Sequence, residues 1–269
     1  MTEKWGAGED LAQEQEARSK AGLQAGSLPH EWVRENLNFQ VDDLQARVLC
    51  TKTKRGLLNC SRQWGKSTIT AAKAVHQAYR KPKSLTLVVS PSARQSGEFL
   101  RKATEFARRL GIKPKGDGDN EISLELPNHS RIVGLPGTEA TVRGFSAVSL
   151  LLVDEAARVT DDLYMAIRPM LAVSDGTLWL MSTPFGKRGF FYETRAHGGP
   201  EWERFRAPAT ECPRIGRQFL EEERVTLGER WFRQEYLCDF EDSVSGVFDR
   251  DLVHRAITDK VKPLKIDWE

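Results

Sequence analysis

Three short stretches, SLTLVVS at 84–90, VSLLLVDEA at 148–156 and GTLWLMSTP at 176–184, are apolar on successive residues instead of alternate ones. A strand of that kind has no face to give to water. The segments between them space their apolar residues at helical intervals, as in STITAAKAVHQAYR at 67–80 and SARQSGEFLRKATEFARRLG at 92–111. Continuous apolar strands separated by helices require an α/β fold, a mainly parallel central sheet covered on both faces by helices. Two further elements fit the scheme: GLLNC at 56–60 is a strand leading into a loop, and EISLELPNHSRIVGLP at 121–136 is a hairpin. A helix is expected over 41–49 and another after the acidic strand, running through Leu171.

The ends of the chain differ in character. Residues 1–37 form a polar, Gln/Glu/Ala-rich arm with one short helix, interrupted by Gly6, Gly8, Gly22 and Gly26. The core is expected over 38–200. From Glu201 the sequence turns to charged helix with little strand, as in RQFLEEERVTLGERWFRQEYL, so a small helical subdomain is placed at 201–248 and a linker at 249–269. With 269 residues, 39% hydrophobic and 29% charged, the chain can bury a substantial core and is too rich in Phe and Trp for disorder. Its net charge of +2 says nothing about partners, so any polyanion contact must be local. The four cysteines show no C-x-x-C spacing and the histidines no metal-ligand spacing, which makes a reducing compartment the default. No window approaches the roughly 20 apolar residues of a membrane-spanning helix.

The loop CSRQWGKST at 60–68 joins a strand to a helix and ends as a phosphate-binding loop does, with Gly65, Lys66 and Ser67, but carries Cys60 where such loops open on glycine. Its backbone N–H groups, from Ser61 through Arg62, Gln63 and Trp64 to Thr68, can cradle phosphate oxygens. Lys66 can reach the terminal phosphates, and the Ser67 hydroxyl can hold magnesium. Leu150 to Val153 then lead into Asp154 and Glu155, and adjacent acids at the end of a buried strand need a cation or a task. Asp154 would complete the magnesium shell and Glu155 would polarise an attacking water, which makes the reaction hydrolysis; the plainer alternative is that the pair caps a following helix. Ser182 and Thr183 close the next strand and are placed to sense a γ-phosphate, or simply to make a turn. Arg62 in the loop and Arg143 in TVRGFSA are candidate cations for the developing charge, Arg143 being equally open to a surface ion pair, while Arg158 orients the carboxylates. The basic residues Arg80 to Lys83, Arg101, Lys102, Arg108 and Arg109 could contact a phosphate backbone, but a solvated helix face is the simpler reading.

SRQWGKS, LLLVDEAARV and LWLMSTPFGKRGFFYE, in this order, resemble the large terminase subunit of tailed bacteriophages, the ATPase that packages DNA into capsids. In that family the loop commonly lacks the first glycine and carries Arg-Gln before its Gly-Lys. The resemblance extends over about residues 38–248. It implies a P-loop NTPase of the ASCE type with a helical lid at 201–248, ATP and Mg2+ as nucleotide and metal, and Gln45 as the adenine-recognising residue. It further implies Arg143 acting on a neighbouring subunit's ATP, and as partners double-stranded DNA, the portal protein, the small terminase subunit and further copies of the chain in a ring, a pentamer on the portal. The setting would be the host cytoplasm. Family members usually continue into a nuclease domain of RNase H-like fold; residues 249–269 are too short for one and Asp249, Asp251 and Asp267 read as linker, so ATPase without DNA cleavage is expected. A helicase-like or DNA-remodelling ATPase, or a nucleotide-binding switch without turnover, are the alternatives.

Overall fold

The computed structural model describes residues 27–137 and 144–241. Two helices, α1 (Pro29–Leu37) and α2 (Asp43–Cys50), precede β1 (Arg55–Cys60), and α3 (Lys66–Arg80) follows it. Then come β2 (Leu85–Ser90), α4 (Ala93–Arg109), the hairpin β3 (Ser123–Glu125) and β4 (Arg131–Pro136), and the acidic strand β5 (Leu150–Asp154). The chain closes with α5 (Asp161–Ile167), β6 (Thr177–Ser182), α6 (Gly189–His197), β7 (Trp202–Ala207), α7 (Arg217–Leu227) and α8 (Glu229–Glu235). The strands make one seven-stranded sheet in the order β3-β4-β2-β5-β6-β1-β7. Every pairing is parallel except β3 with β4.

The absence of alternation in the strands now has its cause. Leu58, Cys60, Val88, Leu150, Leu152, Trp179 and Met181 point into a core layer with Trp32, Ile69, Val75, Phe99 and Phe106 from α1, α3 and α4. Their neighbours Leu57, Leu87, Val89, Leu151, Val153, Leu178 and Leu180 point the other way, against Leu163, Ile167, Phe190 and Phe191 of α5 and α6. Both faces are dry, so both must be apolar.

Two segments depart from the expectation. After β5 there is no continuous helix: Glu155 takes a left-handed conformation (φ 51), Ala156–Arg158 make a single 3-10 turn, and α5 restarts behind Thr160, whose hydroxyl accepts from the Leu163 amide. Pro169 then prevents α-helix from reaching Leu171, and 168–171 are 3-10. Past Glu201 the chain does not turn directly to helix. WERFRA pairs with β1 along its whole length, from Arg55↔Trp202 to Cys60↔Ala207, because Trp202, Phe205 and Ala207 cover sheet surface. Beyond it, α7 and α8 gather Leu220, Phe232 and Tyr236 around Ala209 in a small core of their own.

Candidate nucleotide-binding site

Parallel strands end on the same edge of the sheet, and the register fixes which ends meet: Asn59 is level with Ser182, and Asp154 with Met181. The loop after β1 therefore faces the acidic end of β5 across the end of β6. Between them lies a cavity of about 390 Å3. Its floor is the loop itself, where Gln63 (φ 60) and Gly65 (φ 100) turn the backbone before α3 starts at Lys66. A left-handed residue at 65 is what the glycine supplies. Cys60 needs no such freedom, since it is the last, wholly buried residue of β1, and burial pushes its thiol pKa up so that it stays neutral.

The side chains form two bonded groups, adjacent because Lys66 precedes Ser67 and Asp154 precedes Glu155. The Ser67 hydroxyl donates to Asp154 Oδ2 at 3.0 Å, and Lys66 Nζ sits 2.7 Å from Glu155 Oε1. Glu155 Oε2 in turn meets Arg158 at 3.2 Å and the Ser182 hydroxyl at 3.4 Å. Burial works against the Lys66 charge, but the neighbouring carboxylates of Glu155 and Asp154 outweigh it and hold its pKa above the usual lysine value. Asp154 is 5% exposed, and desolvation pushes its carboxyl above the usual range against the pull of Lys66. A half-buried hydroxyl and a buried carboxylate 3.0 Å apart are the hard oxygen donors that a magnesium ion takes. Thr68 and Thr183 also line the cavity.

Other expected residues sit differently. Trp64 has its ring buried in the core, and its carbonyl accepts from Gln45 Nε2 at 3.3 Å and from Arg214 at 2.7 Å. Gln45 is itself 1% exposed and closes a capping box with Asp42 at the start of α2. The Ser61 amide is engaged with the Ala207 carbonyl at 2.9 Å. Arg62 lines the cavity but its guanidinium is bonded to Glu235 of α8 at 2.5 Å, an interaction that raises its pKa. Arg143 lies outside the described residues.

Sequence reasoning missed Glu235 and Gln95, and gave Lys102 only to a phosphate backbone or a solvated helix face. Glu235, 173 residues away from Arg62 and in the helical region, anchors Arg62 and reaches Arg158 at 3.8 Å. Gln95 and Lys102 of α4 also line the cavity. No local motif marks any of them, because each is delivered by packing of a distant helix.

A parallel sheet in which the phosphate-loop strand and the acidic strand are separated by one strand, β6, with a polar end between them, defines a P-loop NTPase of the ASCE type. Residues 57–255 match the family described as terminase large subunit, T4likevirus-type, N-terminal. The chain belongs to the terminase large subunit family. It is 25% identical over 255 residues to the terminase large subunit of Thermus phage G20c, covering 82% of this chain and 53% of that protein. The chain thus spans about half the length of the relatives it matches. Among solved structures, the large terminase ATPase domain of Thermus phage P74-26 superposes with a TM-score of 0.71 at 23% identity, over 80% of this chain and all of that one. The large terminase of another thermophilic bacteriophage, in complex with ATP-gamma-S, gives 0.60 at 13% identity, over 75% of this chain and 53% of that one.

Proposed function

We propose that the chain hydrolyses ATP and couples hydrolysis to the translocation of double-stranded DNA into a viral procapsid. The observation that carries this reading is the meeting at one sheet edge of two pairs, Lys66 with Glu155 at 2.7 Å and Ser67 with Asp154 at 3.0 Å, in a chain of the terminase family. The complex of the thermophilic phage's large terminase with ATP-gamma-S supports the choice of nucleotide. In this reading the loop backbone and the start of α3 receive the phosphates, Lys66 turns to them, and Gln45 reads the adenine from the Trp64 end. Ser67 and Asp154 hold magnesium, which when bound neutralises phosphate charge.

Glu155 is the general base. A water oxygen attacks the γ-phosphorus, its proton passes to the Glu155 carboxylate, and ADP leaves as the bond to the bridging oxygen breaks. Phosphate competes with Glu155 for Lys66, so arrival of the nucleotide releases one carboxylate oxygen for that task. Ser182, within 3.4 Å of Glu155, and Thr183 report the state of the γ-phosphate to β6. Arg143 from a neighbouring subunit stabilises the developing charge, with Arg62 as the alternative within the subunit. DNA, portal protein, small terminase subunit and a pentameric ring of copies in the host cytoplasm complete the proposal. Among the described residues no helix is long and apolar enough to cross a membrane.

Phosphate release under steady-state conditions tests it. Lys66→Ala should abolish turnover, and mixing it with Arg143→Ala should restore part of it. Unchanged turnover in Lys66→Ala overturns the assignment; absence of rescue moves the cation to Arg62.

A further inference from the structure

The basic residues of α4 do not all face the same way. Arg101 is exposed and paired with Glu98 at 2.9 Å, and Arg109 with Glu105 at 2.6 Å. Gln95 and Lys102 lie two turns apart on one side of the helix, with buried Phe99 between them, and both line the cavity that holds Lys66 and Glu155. Lys102 is partly buried and makes no hydrogen bond or ion pair among the described residues. Lys66, by contrast, is neutralised by Glu155.

We propose that Lys102 is a second lysine of the phosphate site, donating to the γ-phosphoryl oxygens of a bound nucleoside triphosphate. The inference rests on the nucleotide reading of the cavity. A partly buried ammonium without a counter-ion is unfavourable until an anion arrives. Burial accordingly lowers its pKa, ahead of the attraction of Asp154 and the repulsion of Lys66. Those two neighbours fix which part of an anion it meets. Asp154 with Ser67 marks the metal end and Lys66 with Glu155 the terminal phosphate, whereas the base end lies by Gln45, Trp64 and Arg214. Lys102 is therefore at the triphosphate end. DNA is the poorer partner, because a duplex reaches the exposed Arg101 and Arg108 before it reaches a side chain inside this cavity. Gln95, on the same face, can donate its amide to the same phosphoryl group.

Because ADP lacks the γ-phosphate, the contact separates two nucleotides that bind in one place. Calorimetric titration with magnesium and either ADP or the non-hydrolysable triphosphate AMP-PNP reads it directly, on wild type, Lys102→Ala, Lys102→Arg and Lys66→Ala, with thermal melts as the folding control. Lys102→Ala should weaken AMP-PNP about tenfold, the scale of one charge-assisted hydrogen bond, and leave ADP unchanged. Lys102→Arg should recover part of the loss, and serves as the reading variant if Lys102→Ala fails to fold. Equal loss for both nucleotides, no loss for either, or a loss of DNA affinity with AMP-PNP binding intact overturns the proposal. Lys66→Ala keeps its failure distinct from that of the site: if Lys66→Ala also leaves both nucleotides bound as in wild type, the cavity is not the nucleotide site.

Discussion

Replacing Glu155 by Gln should separate chemistry from binding. The substitution keeps the shape and the ability to accept from Ser182, 3.4 Å away, but removes the charge that holds Lys66 at 2.7 Å and Arg158 at 3.2 Å. A general base is worth on the order of 10²–10⁴ in rate, so kcat should fall by about that factor. Binding should move the other way. For Lys66 to turn to phosphate it must leave a carboxylate, and a hydrogen bond between charged groups contributes about 1.5–3 kcal/mol. Both side chains retain some solvent contact, 12% for Lys66 and 20% for Glu155, which discounts the gain to the lower end of that range. Since about 1.4 kcal/mol is tenfold, AMP-PNP should bind up to about tenfold more tightly to Glu155→Gln than to wild type. Single-turnover phosphate release gives the first quantity and calorimetric titration the second. Turnover within about threefold of wild type would remove Glu155 from the chemistry. A parallel collapse of turnover and affinity would show instead that the carboxylate organises the loop.

Glu235→Ala leaves Arg62 and Arg158 without their shared anion, whose side chain is 8% exposed; because Arg62 is 60% exposed, the cost should be only about 1–2 kcal/mol of unfolding free energy in urea. An unchanged denaturation midpoint would show that α8 is not tied to the loop through this residue. At His76, burial first, then Arg80 and Lys73, lower the pKa from the usual 6.5 to about 4. The folded state therefore binds this proton more weakly than the unfolded one, and stability should fall as pH drops from 6.5 through 4, by up to about 3 kcal/mol. His76→Phe, which keeps a ring against Trp32 at 4.9 Å, should flatten that limb of the urea-unfolding curve against pH; an identical slope in the variant would assign it elsewhere.

How far the site can be read from sequence depends on how far apart its parts lie. Gly65, Lys66 and Ser67 are contiguous, and Asp154 and Glu155 are contiguous, so their chemistry is visible as short motifs. Their meeting follows from one rule, that parallel strands present their carboxyl ends on one edge. The helix expected through Leu171 misreads a local signal. The apolar spacing is real, but the extended Val159 and Thr160, and then Pro169, divide it into three short pieces. Residues 202–207 are obscure for the opposite reason, since WERFRA carries charge on an edge strand whose burial becomes evident only when β1 lies beside it.

The sequence by itself therefore determined the doubly covered parallel sheet, the phosphate loop and the acidic strand end, because each is written in the periodicity or adjacency of neighbouring residues. Only the tertiary structure decided that Arg62 is held by Glu235, that Trp64 is core with its carbonyl shared by Gln45 and Arg214, and that Lys102 turns into the cavity while Arg101 turns out. Those are pairings between segments far apart in the chain, or choices between two faces of one helix. They are settled by which surfaces pack together, and no local pattern of residue types encodes that.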